Sequence, residues 1–317
     1  MILRLPPLAL ACLAVSSASA FAAPLELQET VVTAKGYEAA TRDIPQAIEV
    51  LQAQPTETAA PAGSLFRGKP GLAVHSDGAW GQNPVLRGMK KESVVLMVDG
   101  VRVNSGQPQG SLASMLDLGL LERAEVVKGP GSVLYGSGAM GGVVNLITPK
   151  ARFTEQDERG GRFSTSASSV DKGFTGATLL RDYKQRLAED VSVNLNIQRH
   201  TDRDVWYPGS ARTGGQPGGA GIPVPLGTAT IHSPEQQREL FQIGLENGLG
   251  EGTLTTELYR QEVYREIRAY SERLDRDYVR NNVSFITHGL RSSWVVPIAD
   301  HLLTVGVDGW KMTGDPE

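Results

Sequence analysis

The chain has 317 residues, of which 40% are apolar and 21% charged, and its formal net charge is −4 at pH 7. This balance excludes a nucleic-acid-binding protein held by phosphate contacts, which needs a basic surface, and a disordered chain, which would be poorer in apolar residues. There is no run of about 20 apolar residues that could form a membrane-spanning helix, while 36 glycines and 18 prolines indicate many turns and hence β structure.

The first segment predicts a secretory signal peptide covering residues 1–22. Arg4 precedes an apolar run from Leu5 to Val15, and Ser16 to Ala23 is rich in small residues that fit the small-x-small cleavage rule. Cys12, the only cysteine, lies within the apolar run. The exported chain is therefore predicted to use neither disulfides nor thiolate chemistry.

Residues 23–62 predict an extended peptide followed by a linker. The peptide is rich in Val and Thr, which favour strands, and the stretch from Tyr37 to Ala62 is polar and interrupted by proline. An isolated strand cannot satisfy its own backbone groups, so the peptide is either an edge strand of the next domain or a segment that adds to a partner's sheet. The peptide consists of Glu29, Thr30, Val31, Val32, Thr33 and Ala34.

Residues 63–150 predict a compact, glycine-rich α+β domain. Val94–Val98 and Val101–Val103 form a predicted hairpin, because Asp99 and Gly100 supply the pair of positive φ angles that a type I′ turn needs. The other predicted elements are strands at Leu72–Val74 and Val85–Gly88, a helical turn at Met115–Leu121, and strands at Glu122–Lys128 and Val143–Thr148.

A glycine-rich stretch, Gly136-Ser137-Gly138-Ala139-Met140-Gly141, matches the spacing of dinucleotide-binding loops. That fingerprint binds a pyrophosphate only between a strand and a long helix, whereas the following residues are β-branched and end at Pro149. We interpret these glycines as tight turns and close backbone approaches. A periplasmic enzyme that binds a nucleotide here is the alternative, and a nucleotide titration would detect it.

Four stretches of this domain occur in a specific order: Leu86–Gly88, Leu96–Val101, Glu125–Pro130 and Tyr135–Thr148. They resemble the plug domain of TonB-dependent outer-membrane receptors, and the extended peptide at residues 29–34 is similar to the TonB box of that family. The family usually has Arg where this chain has Lys128, so a bidentate carboxylate contact is not implied there. The matching motif residues are Arg87, Gly88, Asp99, Gly100, Glu125, Lys128, Gly129, Pro130, Tyr135, Gly136, Gly141, Gly142 and Asn145.

Residues 151–317 predict antiparallel strands with one apolar and one polar face. Apolar and polar residues alternate at Val191–Gln198, Phe241–Glu246 and Leu303–Asp308. Weaker candidates bring the predicted total to seven strands, and these candidates are Arg162–Val170, Phe174–Tyr183, Gly252–Val263 and Tyr278–Trp294.

The connections between these strands favour a transmembrane β-barrel over a soluble β-sandwich. The predicted links at 184–190, 247–251 and 297–300 are short, whereas those at 201–236 and 264–277 are long. Short turns on one rim and longer loops on the other are typical of outer-membrane barrels. Barrels that hold a plug use about 22 strands, so we expect this chain to contain the N-terminal part of the barrel, as a fragment or truncated product.

The resemblance also suggests where a ligand binds. The plug loop with His75, Asp77, Trp80 and Gln82, and the turn with Asn104 and Gln107, would face the extracellular vestibule, where polar and aromatic side chains hold a bulky ligand. No catalytic constellation is visible, and the five histidines show no metal-ligand spacing. For a haem ligand, His75 and His232 are the suggestive pair.

The function implied by the resemblance is active uptake of a ferric siderophore, cobalamin or haem across the outer membrane of a Gram-negative bacterium. The expected partners are outer-membrane lipid, the ligand, and the C-terminal domain of TonB with its ExbB–ExbD motor. No enzyme activity, cofactor, metal site or nucleic-acid partner is expected. A passive porin or adhesin is the alternative, and a signal-transducing subtype is not expected because the predicted TonB box follows the cleavage site closely.

Overall fold

The computed structural model describes residues 30–31, 39–40, 47–53, 62–76, 82–103, 116–149, 161–167, 169, 172–180, 185–188, 191–212, 229–299 and 301–316. The predicted signal peptide and Cys12 lie outside these ranges. Within them, no helix has both the length and the apolar character needed to cross a membrane.

The described residues of the N-terminal part form ten short strands and one short helix. The strands are β1 (Thr30–Val31), β2 (Ala39–Ala40), β3 (Ala47–Gln52), β4 (Leu72–Ser76), β5 (Gln82–Leu86), β6 (Met89–Lys90), β7 (Val94–Val98), β8 (Val101–Arg102), β9 (Arg123–Lys128) and β10 (Gly142–Ile147). The helix α1 spans Ser132–Tyr135, and 3-10 turns lie at Ala62–Phe66, Lys91–Ser93 and Leu118–Leu120.

A five-stranded sheet, here called the plug sheet, organises this part in the order β3-β9-β10-β7-β8. The central strand β10 pairs parallel with β7 and antiparallel with β9, and it is buried along its whole length. Apolar side chains cover both faces, as expected for a sheet packed on two sides. One face carries Leu96, Val98, Val126, Val144 and Leu146, and the other carries Val95, Met97, Val127 and Val143.

Two tight hairpins shape the domain. Val98 pairs with Val101 across Asp99 and Gly100, whose φ angles of 49° and 80° confirm the predicted type I′ turn. A second two-residue turn at Arg87 and Gly88 has φ angles of 51° and 79° and joins β5 to β6. Both turns belong to motifs singled out in the sequence.

The edge strand β3 lies within the segment predicted as linker. It pairs antiparallel with β9, from Ala47 opposite Lys128 to Gln52 opposite Arg123. Leu51 is its only buried residue, because an edge strand presents little of its surface to the core. Ile48 and Val50 pack partly buried against the other face of the sheet, but this alternation covers too few residues to stand out in a polar segment. The plug sheet begins with this strand, earlier than the predicted boundary at residue 63.

The C-terminal part is one antiparallel sheet, here called the wall sheet. Its strands are β11 (Gly161–Ala167), β12 (Phe174–Leu180), β13 (Gln185–Ala188), β14 (Val191–Arg212), β15 (Ala229–Leu249), β16 (Gly252–Ser271), β17 (Arg276–Ile298) and β18 (His301–Pro316). β12 and β13 both pair with β14, at residues 197–203 and 191–193, so they occupy one strand position. The described wall sheet thus has the seven strand positions that the sequence predicts.

The two faces of the wall sheet differ sharply in polarity. On β15, Phe241, Ile243 and Leu245 are exposed, whereas the alternating residues Arg238 and Gln242 are buried. Leu240, on the buried face, packs against Val101 of β8, so this face meets the N-terminal domain. A β-sandwich would bury its apolar face instead, and the outward apolar face fits the predicted barrel.

Several wall strands are longer than predicted. β16 continues to Ser271, so the connection predicted at 264–277 shrinks to residues 272–275. β14 and β15 likewise extend to Arg212 and Ala229, into the predicted 201–236 link. On β14 the apolar alternation stops at Ile197, whereas the pairing with β15 continues beyond it. The alternation marks only the part of the strand whose outer face is apolar, and the hydrogen-bonded ladder is longer.

Substituting Gly142 tests the packing of the plug sheet. Gly142 has a φ of 148°, and an added Cβ would lie 2.7 Å from Leu86 Cδ1 and closer still to the Val127 carbonyl oxygen. We expect Gly142→Ala to lower the free energy of opening of β9 and β10 by ~2–5 kcal/mol, from backbone strain and overpacking. Amide hydrogen exchange of the purified protein measures this quantity.

Gly68→Ala is the matched control for that substitution. Gly68 also has a positive φ, 69°, but no atom lies within 4 Å of an added Cβ. Only the conformational cost of about 1–2 kcal/mol applies there. If the amides of β9 and β10 lost the same protection from hydrogen exchange in both variants, the close packing of Gly142 against Leu86 and Val127 would be contradicted.

Candidate functional site

The carboxylate of Asp99, at the tip of the β7–β8 hairpin, joins the N-terminal domain to the wall sheet. Within its own domain it accepts hydrogen bonds from the backbone N and the Oγ1 of Thr148, both at 2.8 Å. From the wall it accepts bonds from Asn196 Nδ2 at 3.2 Å and Gln198 Nε2 at 2.6 Å. Asn145 Oδ1 accepts the Gly100 backbone N–H at 3.0 Å, which fixes the turn itself.

A buried arginine of the wall continues this network. Arg238 is 1% exposed, and its Nη1 donates to Gln198 Oε1 at 3.0 Å while its Nε donates to Gln261 Oε1 at 3.2 Å. Gln261 Nε2 in turn donates to the carbonyl oxygen of Arg102 in β8 at 3.3 Å. The hairpin is therefore held by β14 and β16 directly and by β15 through Arg238.

A second contact forms at the 3-10 turn of Leu118–Leu120. Asp117 caps this turn by accepting the Gly119 backbone N–H at 2.6 Å, and Ser164 of β11 donates to the same oxygen at 3.3 Å. Arg162, also on β11, donates to the carbonyl oxygens of Gly119 and Leu121 at 3.0 and 3.3 Å. The first wall strand thus grips the domain at a separate point from the Asp99 turn.

Burial dominates the electrostatics of Asp117, which is 2% exposed. Desolvation raises the pKa of this carboxyl, and the charge of Asp202 adds to the rise. The Gly119 hydrogen bond, the charge of His200 and the Ser164 hydroxyl act in the opposite direction. His200 and Asp202 are themselves buried on β14, with Nε2 and Oδ2 3.1 Å apart.

The remaining motif residues hold the plug sheet together. Lys128 Nζ lies 2.5 Å from Glu49 Oε2 and donates to the Pro70 carbonyl oxygen at 2.9 Å. The ammonium contacts one oxygen of the carboxylate, as expected for lysine in place of arginine. Glu125 is fully buried and accepts from Arg123 Nε and Nη2 at 3.0 and 2.8 Å.

The glycine-rich stretch lies directly before strand β10, and its backbone folds against the hairpin. Arg102 Nη2 donates to the Ser137 carbonyl oxygen at 2.8 Å and Nη1 to that of Tyr135 at 3.4 Å. Burial lowers the pKa of Arg102, and the charge of Asp308 opposes this shift. Gly141 donates to the Ser93 carbonyl oxygen at 2.7 Å. The glycines therefore serve close backbone packing, as the sequence interpretation states.

The structure describes only part of the predicted TonB box. Thr30 and Val31 form β1 and pair antiparallel with Ala40 and Ala39 of β2. The other four box residues lie outside the described ranges, and they are Glu29, Val32, Thr33 and Ala34.

Two of the six predicted ligand residues are described. His75 and Gln82 lie at the adjoining ends of β4 and β5, where Ser76 pairs with Gln82 and His75 with Asn83. Gln82 is 4% exposed, and its side chain lies against Gly63. The predicted ligand residues outside the described ranges are Asp77, Trp80, Asn104 and Gln107.

His232, the second residue of the suggested haem pair, is engaged within the wall sheet. Its Nε2 lies 2.8 Å from Asp277 Oδ1, and its ring stacks on Trp206 with a centroid separation of 4.3 Å. Tyr270 packs edge-on against Trp206. Within the described chain, no three His, Cys, Asp or Glu side chains are grouped in a way that could hold a metal ion.

The wall residues that hold the plug were not predicted from the sequence. Asn196 and Gln198 stand at polar positions of the alternating strand, which predict a polar face without saying what that face meets. Arg238 is one of many charged residues beyond the apolar alternation at Phe241–Glu246. A usable signal is its position in the alternation, since residues 238, 242 and 244 are separated by even numbers and therefore lie on the same face of the strand.

Comparisons with known proteins agree with this architecture. Residues 40–143 match the family described as TonB-dependent Receptor Plug Domain. A hemin receptor of Yersinia pestis is 41% identical over 150 residues, which cover 45% of this chain and 22% of that protein. The vitamin B12 transporter BtuB of Vibrio vulnificus is 35% identical over 129 residues, which cover 39% of this chain and 21% of that protein. The chain thus spans about a fifth of the length of these relatives.

Solved structures resemble the fold over more of the chain. The copper transporter OprC matches with a TM-score of 0.62 at 16% identity, covering 84% of this chain and 45% of that one. The FrpB iron transporter from Neisseria meningitidis matches with a TM-score of 0.59 at 17% identity, covering 85% and 49%. At this identity the likeness concerns the fold: a plug domain seated against antiparallel wall strands.

Replacing Asp99 tests the first contact. Asp99→Asn removes the charge and turns a donor toward the Thr148 and Gln198 groups that now donate to the carboxylate. We expect the opening free energy of the β7–β8 hairpin to fall by roughly 2–4 kcal/mol, the scale of charge-assisted hydrogen bonds. Hydrogen exchange of the Leu96–Arg102 amides measures it. Glu92→Gln, at an exposed carboxylate, is the control, and equal exchange in both variants would contradict the assignment.

The pKa of Asp117 predicts a pH dependence at the second contact. Because the folded-state pKa of Asp117 is raised above its unfolded value of about 4, the folded state binds the proton more tightly than the unfolded state does. The stability contributed by this group is therefore present at low pH and is lost as pH rises through the folded-state pKa. We expect the stability difference between the wild type and Asp117→Asn, which keeps an acceptor oxygen, to favour the wild type more as pH decreases. Denaturant titrations at several pH values measure this difference, and a pH-independent difference would refute the prediction.

Proposed function

We propose that this chain, which belongs to the TonB-dependent receptors, takes part in active uptake of a scarce, bulky ligand across the outer membrane of a Gram-negative bacterium. The observation that carries the proposal is the plug domain bonded through Asp99 and Asp117 to the polar face of the wall sheet. A plug in this position closes the passage along the inner face, so transport requires a driven rearrangement of the plug.

The membrane location agrees with the two faces of the wall sheet. The receptor lies in the outer membrane, and the outward residues Phe241, Ile243 and Leu245 suit contact with lipid acyl chains. On the other face, Gln198 and Gln261 are buried and donate hydrogen bonds to Asp99 and Arg102 of the plug. An adhesin or passive porin has no need for a plug held in this way, so that alternative is not favoured.

The proposed ligand classes are haem, cobalamin and ferric siderophores. The hemin receptor and the vitamin B12 transporter among the relatives support the first two for this chain. We propose that the ligand is held at the loops around β4 and β5 by His75, Asp77, Trp80, Gln82, Asn104 and Gln107. Receptors and transporters make up the family, and we propose no catalytic role.

The proposed partner on the inner side is the C-terminal domain of TonB with its ExbB–ExbD motor. Thr30 and Val31 adopt strand geometry, which supports recognition by strand addition. We propose a signal peptide at 1–22, then the box with its linker, and a plug that begins by β3 and ends near residue 149. Wall strands follow from Gly161.

Replacing Val31 by proline tests the coupling to TonB. Proline removes the backbone N–H of residue 31 and cannot join an added strand without losing a ladder hydrogen bond. We expect Val31→Pro to abolish uptake of radiolabelled hemin or cyanocobalamin while leaving binding to whole cells intact, because the ligand site lies elsewhere in the plug.

Val31→Thr is the control, because it keeps both the N–H and the β-branched shape that favours strands. Uptake in that variant is expected to match the wild type. Normal uptake in Val31→Pro would rule out residues 29–34 as the TonB box. Uptake by the wild type that survives collapse of the proton gradient would instead support a passive porin.

A further inference from the structure

Arg238 lies in an unusual electrostatic environment between the wall sheet and the plug. Its guanidinium is almost fully buried, and the two side chains that accept its hydrogen bonds, Gln198 and Gln261, are neutral amides. A buried cation is costly unless an anion compensates it. Among the described residues, the carboxylate whose field acts on Arg238 is that of Asp99, which belongs to the plug.

The amide of Gln198 connects these two charges. Gln198 accepts from Arg238 through Oε1 and donates to Asp99 through Nε2, so the cation of the wall and the anion of the plug polarise the same amide. Arg238 and Asp99 are thus linked through a single glutamine side chain. The pair is split between two parts of the protein that have to move relative to each other during uptake.

Three other wall arginines have carboxylate partners on the wall itself. Arg291 forms an ion pair with Asp308 at 3.2 Å, and both residues belong to wall strands. Arg199 and Arg203, whose side chains are 59% and 63% exposed, lie opposite Glu239 and Glu235. Arg238 differs from these three, because withdrawal of the plug hairpin removes its counter-charge.

From this arrangement we infer that Arg238 is a transit site for an anionic ligand, an inference that rests on the proposed function. When the Asp99 turn leaves the wall, the guanidinium faces the opened passage without its anion. A carboxylate or similar acidic group of the passing ligand then replaces Asp99 as the partner of Arg238. The resting contact and the transit site are therefore the same cation, used in succession by the plug and by the ligand.

The test compares an anionic and an uncharged probe in cells that express the receptor from its complete coding sequence. Hemin carries two propionate carboxylates, whereas cyanocobalamin carries mainly neutral amides and no net charge. The variants are Arg238→Gln, Arg238→Lys, and the control Arg199→Gln, which removes an outward-facing charge from β14. Cell-surface binding of hemin and its uptake rate are measured for each variant.

We expect Arg238→Gln to lower hemin uptake about tenfold or more, since the anion loses its partner in the passage, while the hemin Kd at the surface changes less than about twofold. Arg238→Lys keeps the charge and should recover part of the rate, and Arg199→Gln should match the wild type. Intact surface binding in Arg238→Gln shows that this variant has folded.

A second background separates the transit site from a purely structural role. In Asp99→Asn the hairpin contact is already weakened. If Arg238 acted only by holding the hairpin, adding Arg238→Gln there would change nothing further, and the inference would be overturned. A transit site predicts that the drop of about tenfold persists in that background.

Two other outcomes also overturn the inference. One is normal hemin uptake by Arg238→Gln, and the other is a wild-type receptor that takes up cyanocobalamin but not hemin. A wild type that takes up neither probe contradicts haem and cobalamin as the proposed ligand classes, and a transit site for haem carboxylates falls with them. Uptake by the wild type is measured without any variant, so a failure of the proposed function is recognised separately from a failure of the inference.

Discussion

The carboxylate of Asp99 is the interaction on which the arrangement of this protein depends. A partly buried anion requires several donors, and Asp99 takes two from Thr148 in its own domain and two from Asn196 and Gln198 in the wall. The same group therefore closes the plug sheet and positions the plug in its wall. Removing the wall leaves the anion half-satisfied, so the fold of the domain and its seating are energetically coupled.

The turn that carries Asp99 is constrained by both conformation and space. Gly100 has a φ of 80°, and a Cβ there would lie 2.8 Å from Arg291 Nη1 of β17. Glycine thus permits the turn and also lets the hairpin approach the wall closely. Asp99 accepts a positive φ less readily than glycine, and its hydrogen bonds offset that cost. One dipeptide satisfies the hairpin geometry, the packing distance and the charge.

Local signals in the sequence are sufficient for much of this fold. Asp99 and Gly100 predict their hairpin because the type I′ turn has a chemical signature of its own, and the alternation at Phe241–Glu246 predicts a strand with an apolar outer face. Strand β3 escapes prediction because its alternation of Ile48 and Val50 is short and lies in a polar, proline-interrupted segment. The pairing of Asn196 and Gln198 with Asp99 of the plug escapes prediction because it joins residues about 100 positions apart, a separation that no local pattern encodes.

The polar character of the contact between plug and wall suits a plug that has to move. Where Leu240 and Tyr259 meet Val101, separation exposes apolar surface to water at a full hydrophobic cost. At Gln198 and Gln261, water can replace each lost hydrogen bond, so the net cost of separation is small. Arg238 is the exception within this polar layer, because water compensates a confined cation less well than an anion does. The polar part of this contact thus retains one strong preference, and that preference is for negative charge.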